Sequence, residues 1–344
     1  PFCAVKRITA ADGGDGTLDA YIDNVGGKKR SVDVHGPNGD LISACYALLD
    51  DGSAVVEMAR ASGMCVAAQG STPLHTSTYG TGELIRAALE DGCRRIIVGV
   101  GGSATNDGGA GMAAALGIRF LDGTGEEIFP TGGALSALAR IDTRGLYTPV
   151  RDAQILVACD VDSPLCGEMG AAEIFAPQKG ADRAAVKTLD ANLRLLAKTV
   201  LRDVGFDMLA LRGGGAAGGL AAGLAAFLGA TLEDGAGLLL DAAGFSAAAR
   251  DADIIITGEG CFDRQSLRGK LPSGIAARSG GTPVAVIAGR VELSAKESSE
   301  AGFALVEEAT KRGLSPCEIA LRCRDDLTRA AARLMARLNT LIDI

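Results

Sequence analysis

Residues 94–116 read RRIIVGV-GGSATNDGG-AGMAAAL. The first part, Arg94 to Val100, is a short apolar run with β-branched residues at Ile96, Ile97 and Val98. A Gly-rich turn follows, and then an Ala-rich stretch from Ala110 to Leu116 with helical character. The order strand, tight turn, helix recurs further on. Asp253 to Thr257 is a second apolar run, followed by Gly258-Glu259-Gly260, which reads as a turn before a helix starting near Pro272 or Ser273. Pro283 to Gly289 and Phe303 to Val306 are a third and a fourth run, and Glu318 to Leu341 has apolar residues at helical spacing. Near-continuous apolar strands separated by helices belong to a parallel sheet buried on both faces.

Another part of the chain follows a different rule. Ser31-Val32-Asp33-Val34-His35 alternates with period two, Gly36-Pro37-Asn38-Gly39 is a turn, and Leu41 to Leu48 continues as a strand. Asp50-Asp51-Gly52 turns again before Ala54-Val55-Val56-Glu57-Met58. This is an antiparallel hairpin pattern. One portion is therefore expected to be parallel α/β and another mixed α+β.

Composition narrows the function. A chain of 344 residues with 47% apolar residues has material for two domains with cores of their own. Its formal charge of −8 argues against nucleic-acid binding, because no excess of cations is present to neutralise phosphates. The apolar stretch near Ala221 to Leu228 is too short to span a membrane, and no secretory leader is recognisable. The nine cysteines form no CxxC pair and are expected to be reduced cytoplasmic thiols. The only histidines are His35 and His75, so a His-ligated metal centre or a Ser-His-Asp triad is not expected.

Five loops contain candidate chemistry. Asp12-Gly13-Gly14-Asp15-Gly16 pairs carboxylates with a curved backbone, either to hold Mg²⁺ or a hydroxyl or simply as an acidic turn before a helix. Gly101, Gly102, Ser103, Thr105, Asn106 and Asp107 follow a strand and precede a helix, a place where backbone N–H groups meet anions. Asp160 and Asp162 close another strand, and alternation would put both carboxylates on one side, as a hard cation requires. The alternative for them is a pair of solvated turn aspartates. Lys179 lies beyond them in Pro177-Gln178-Lys179-Gly180, as a counter-charge for phosphate or carboxylate or as a surface residue. Gly214, Gly215, Gly218 and Gly219 either let a helix N-terminus approach an anion or allow close helix packing. Glu259, Asp263 and Lys270 crowd the loop after a parallel strand, where open α/β sheets bind ligands.

Several of these runs, in the same order, resemble the bacterial glycerate kinase family: ADGGDGT (11–17), VVEMARASGM (55–64), TSTYGTGELI (76–85), GVGGSATNDGGAGM (99–112), CDVDSPL (159–165), PQKGA (177–181), GAAGGL (215–220), and ITGEG with Asp263, Gln265, Ser266 and Gly269-Lys270. The resemblance implies two unlike α/β domains, one Rossmann-like with a mainly parallel sheet and one mixed, with the site in a cleft between them. We expect the Rossmann-like domain at 72–120 and 245–344, and the mixed domain at 1–71 and 121–244. The resemblance also implies ATP, Mg²⁺ and glycerate, with phosphate delivered to the 2-hydroxyl; 3-phosphoglycerate is the alternative product. Neither nucleic acid nor membrane is implied as a partner.

The sequence departs from the family pattern in three places. Family members open with a strand, an Asp-Ser-Phe-Lys-Gly loop and a helix, whereas here Asp12 is reached almost at once from Pro1. Cys261 replaces the usual Arg after Gly-Glu-Gly, and Ser163 replaces a common Asn. The first departure leads to the expectation of an absent βα unit and reduced stability, with either much reduced activity or an open sheet edge prone to pair with a second copy as a homodimer; the alternative is a natural protein that starts earlier.

On this reading the 101–109 and 213–219 loops cradle phosphates or the glycerate carboxylate. Asp160, Asp162 and Glu259 are the metal candidates. Asp12 or Asp263 orients or deprotonates the acceptor hydroxyl, and Lys179 and Lys270 neutralise charge on the transferring group. Two other classes compete: a hydroxy-acid-binding relative without catalysis, and a dehydrogenase. The dehydrogenase reading lacks GxGxxG and a ribose-binding acid about 20 residues later.

Overall fold

The period-two segment forms β1 (Gly27–His35), and the Gly36–Gly39 turn sends the chain back as β2 (Leu41–Leu49). The two pair antiparallel from Gly27↔Leu49 to His35↔Leu41, and β2 pairs antiparallel with β3 (Ala54–Glu57). These assignments come from a computed structural model that describes residues 4–267 and 271–341. The run at residues 94–100 is β4 (Arg95–Gly99). A short antiparallel pair, β5 (Arg119–Leu121) and β6 (Arg140–Asp142), stands apart from it. β7 (Gln154–Ala158) and β8 (Thr231–Glu233) complete a six-stranded sheet of order β1-β2-β3-β4-β7-β8, in which β3, β4, β7 and β8 run parallel.

The apolar runs follow from burial on both faces. Ile96 and Val98 point into the main core beneath the helices Tyr79–Glu90, Ala110–Ala115, Arg183–Asp203 and Leu220–Leu228. Ile97 points the other way, to Leu18 and Tyr21 of the helix Thr17–Val25 and to Leu238 and Leu239. A strand covered on both sides has no solvent face to mark with polar residues, so alternation disappears.

Contacts divide the chain into two units, Thr9–Leu239 and a smaller one built from the described residues before 9 and after 239. The smaller unit has a parallel sheet of order β11-β10-β9, from β9 (Ile255–Phe262), β10 (Val284–Val291) and β11 (Phe303–Glu308). Val284, Val286 and Ala288 face Phe262, Phe245 and Phe303, while Ala285, Ile287 and Leu305 meet Ala330, Leu334 and Leu338 of the helix Pro316–Leu341. The expected pair of unlike α/β units is present, one mixed and one all-parallel.

Two expectations need correction. Residues 72–120 do not join 245–344: β4 hydrogen-bonds β3 and β7, so this segment is central to the larger unit. Similar apolar strands do not announce which sheet they enter, because pairing is chosen by tertiary packing. The Gly258-Glu259-Gly260 segment is no turn either; β9 runs through it to Phe262. No helix among the described residues is long and apolar enough to cross a membrane.

Candidate functional site

Because β3, β4 and β7 are parallel, their C-terminal ends share one edge of the larger sheet, the edge at which open α/β sheets gather ligands. The 12–16 loop lies directly on that edge. Gly101 N–H donates to Gly13 O at 3.1 Å, and Gly13 has a φ of 93° with no room for a Cβ beside the Ala158 carbonyl. The loop is anchored by Glu57, whose Oε1 accepts from Leu18 N–H at 2.7 Å and whose Oε2 accepts from Arg60 Nε at 2.6 Å.

A cavity of about 300 Å³ opens there, within the larger unit. Of the residues expected from sequence, Asp12, Gly101, Gly102, Ser103, Asp160 and Lys179 line it, joined by Met64, Phe175 and Ala217. Ala217 has a φ of 53° and is the one non-glycine among the described residues with a positive φ, the kind of backbone strain that clusters at functional sites.

Lys179 sits at the end of the short turn Pro177–Lys179 with only 8% of its surface exposed. Its Nζ donates to Ser103 Oγ and to Thr105 O, both at 2.7 Å. Burial lowers its pKa to about 7, against a smaller opposing pull from the Asp107 charge. An unfolded chain would keep that proton up to the ordinary value of 10.5, so folding releases a proton between the two values. Stability should therefore rise with pH through that window, and a Lys179→Met variant should lack this contribution. Denaturant midpoints of both proteins at about pH 7 and about pH 9.5 would check it; parallel pH trends would show that Lys179 stays charged in the fold.

Asp160 lies just past the end of β7. Its Oδ1 accepts from Gly235 N–H at 2.7 Å, while its Oδ2 is buried and receives no hydrogen bond. Burial first, then the like charges of Asp234 and Asp12, pushes this carboxyl up to about 7 despite the Gly235 hydrogen bond. A buried carboxylate oxygen without a donor is a ligand of the kind a hard cation takes, although among the described residues the ligand atoms that converge as a set are those of Asp263 and Glu292, with Cys261, in the smaller unit.

Asp162 does not share this side. β7 ends at Ala158, so strand alternation does not reach residues 160–162, and Asp162 is exposed, paired with Arg212 at 2.6 Å. Asp107 is fully buried and does not line the cavity. It accepts from Thr78 N–H (2.7 Å), Thr78 Oγ1 (2.8 Å), Gly109 N–H (3.1 Å) and Gly111 N–H (3.1 Å), tying together the starts of two helices. Thr105 Oγ1 and the Asn106 amide are buried without a hydrogen-bond partner among the described residues.

The 213–219 loop is a packing device rather than an open cradle. The N–H groups of Gly214, Gly215 and Gly219 donate to Leu211 O, Ser163 O and Gly215 O, and Gly218 O accepts from Gly108 N–H. Only Ala216 and Ala217 of this loop reach the cavity.

Glu259 and Asp263 belong to the smaller unit. The Ser266 hydroxyl bonds the Glu259 carboxylate, and Asp263 Oδ1 accepts from Gln265 N–H (2.7 Å) and Ser266 N–H (3.2 Å), which closes a turn. Lys270 lies outside the described residues. Sequence reasoning missed Glu57, Met64, Phe175, Ala217 and Asp234. Glu57 and Met64 fall within VVEMARASGM, but no spacing marked either as special.

Comparison with known proteins bears on this arrangement. The model of the glycerate kinase family matches residues 1–339. A glycerate kinase from Halalkalibacterium halodurans is 45% identical over 336 residues, covering 94% of this chain and 88% of the relative. A glycerate 2-kinase from Escherichia coli is 46% identical over 293 residues, covering 84% of this chain and 77% of the relative. The crystal structure of a putative glycerate kinase 2 from Salmonella typhimurium LT2 superposes with a TM-score of 0.84 at 42% identity, over 98% of this chain and 89% of that one. With a family match over nearly its whole length and these close relatives, the chain belongs to the glycerate kinase family of enzymes.

Proposed function

We propose that this enzyme transfers the terminal phosphoryl group of ATP to the 2-hydroxyl of glycerate, with Mg²⁺, in the cytoplasm. The observation behind this reading is the cavity at the parallel strand ends, where one buried lysine, Lys179, faces a small space that also holds Asp12 and Asp160. The names of the relatives support glycerate as acceptor, and the Escherichia coli protein's name supports the 2-position. The described cysteines are all free thiols, which supports a reducing compartment.

Asp12 is the residue of this cavity suited to accept the proton of the attacking hydroxyl, because its exposed carboxylate makes one long contact, with Gly14 N–H at 3.3 Å. Asp160 fits Mg²⁺ through its unpaired buried oxygen, and the ion, when bound, would offset charge on phosphate oxygens. Burial favours the neutral amine of Lys179, so an anion beside it raises its proton affinity, and the resulting ammonium supplies positive charge in a site of low polarity, where it acts more strongly than in water.

A coupled assay with ATP, Mg²⁺ and glycerate, followed by phosphorus NMR of the product, tests the reading. The expected product is 2-phosphoglycerate. A 3-phosphoglycerate signal would move the transfer to the other hydroxyl, and ATP left unconsumed with glycerate present would remove the activity.

A further inference from the structure

We propose that Lys179 binds the carboxylate of the hydroxy-acid, which makes the cavity of the larger unit the acceptor's subsite and leaves the ATP phosphates to other groups; this rests on the glycerate kinase reading. An ammonium has three hydrogens. Two of them go to Ser103 Oγ and Thr105 O, which fix the group in place and leave one for a ligand. Lys179 is the only basic side chain among the described residues lining the cavity, and Asp12 and Asp160 contribute two carboxylates.

That charge balance discriminates between ligands. A triphosphate brings several negative charges against two acids and one lysine, and an ion held at Asp160 would offset only part of them. A small monocarboxylate brings one charge for Lys179, and its reacting hydroxyl has Asp12 as the acceptor, which leaves Asp160 to the ion. Of the lining glycines, Gly13, Gly14 and Gly101 spend their N–H groups on Thr17 Oγ1, Asp12 Oδ1 and Gly13 O. The size agrees as well: about 300 Å³ lies at the low end of ligand cavities. Met64, Phe175 and Ala217 supply apolar wall for a short carbon chain.

Steady-state kinetics of the full chain and of Lys179→Met would test the subsite. The expected result is a KM for glycerate raised about 10- to 100-fold, the loss of one charge-assisted hydrogen bond, with the KM for ATP within about two-fold of the original. Glyceramide, which lacks the carboxylate, should be an equally poor substrate for both proteins. A raised KM for ATP with an unchanged KM for glycerate would overturn the subsite and leave the kinase reading intact. A wild-type protein that transfers no phosphate to glycerate would instead overturn the kinase reading. Should Lys179→Met fail to fold, Ser103→Ala, which removes one of the two anchors of Lys179 Nζ, is read in the same way: a raised KM for glycerate with the KM for ATP unchanged is expected, and a raised KM for ATP alone would assign the cavity to phosphate.

Discussion

Asp160→Asn should cut turnover by about 100-fold or more at limiting Mg²⁺ while leaving the protein as stable as before, or more so. The two halves of this expectation have different causes. Asn keeps the volume and the Oδ1 acceptor that Gly235 N–H uses at 2.7 Å, so the local backbone has no reason to move. What disappears is a charge that the fold holds at a cost. Burial pushes the Asp160 carboxyl up to about 7, and Asp234 and Asp12 add like charge. An amide there removes the repulsion and offers an N–H to those acids, in place of an oxygen that now receives no hydrogen bond. A position where the uncharged residue suits the fold better, but the charged one is present, is the pattern expected where function opposes stability. The measurement is kcat against Mg²⁺ concentration, together with a thermal melt. Wild-type rates throughout the Mg²⁺ range would take Asp160 out of the metal role. A large fall in melting temperature would show the carboxylate to be structural.

The residues of this chain differ in how much they reveal by themselves. The strands β4, β9, β10 and β11 were legible because burial on both faces leaves an apolar run that suits little besides a covered strand. β1 and β2 were legible because one of their faces alternates and Gly36–Gly39 sets the turn. Which sheet β4 enters was not legible, since Ile96, Ile97 and Val98 would suit either parallel sheet. At the site, Lys179, Asp12 and Asp160 were found because charged residues beside glycines at strand ends are unusual. Asp162 was misplaced because alternation was carried past Ala158, where the strand stops. Asp107 looked like a ligand residue and is a tie between helices, a distinction that depends on Thr78, 29 residues away in sequence. Glu57 and Asp234 are single acids at ordinary spacing, and only the fold brings them to the loops they hold or charge.

Gly218→Ala should cost at least about 4 kcal/mol, a large share of a typical margin of about 5–15 kcal/mol. Gly218 and Gly229 form a natural control pair, with φ of 68° and 67°. A Cβ at either position meets the same backbone penalty, about 1–2 kcal/mol for a left-handed L-residue. At Gly229 nothing lies within 4 Å of that Cβ, so Gly229→Ala should cost little more than that penalty. At Gly218 the Cβ would strike the Thr105 carbonyl oxygen and lie 2.6 Å from the Asn106 Cα. These are backbone atoms of a buried loop, and they have no rotamer through which to move aside. Relief would require the 105–106 segment to shift, and that segment supplies the carbonyl that holds Lys179 Nζ at 2.7 Å. It would also break the bond from Gly108 N–H to Gly218 O at 3.0 Å. The Gly218 variant should therefore lose activity with its stability, while the Gly229 variant keeps its activity. Urea midpoints and kcat for the two alanine variants, prepared side by side, would check this. Equal midpoints would mean that the 213–219 loop can back away from residues 105–106, and that the close packing of these two backbones is not what fixes Lys179 in the cavity.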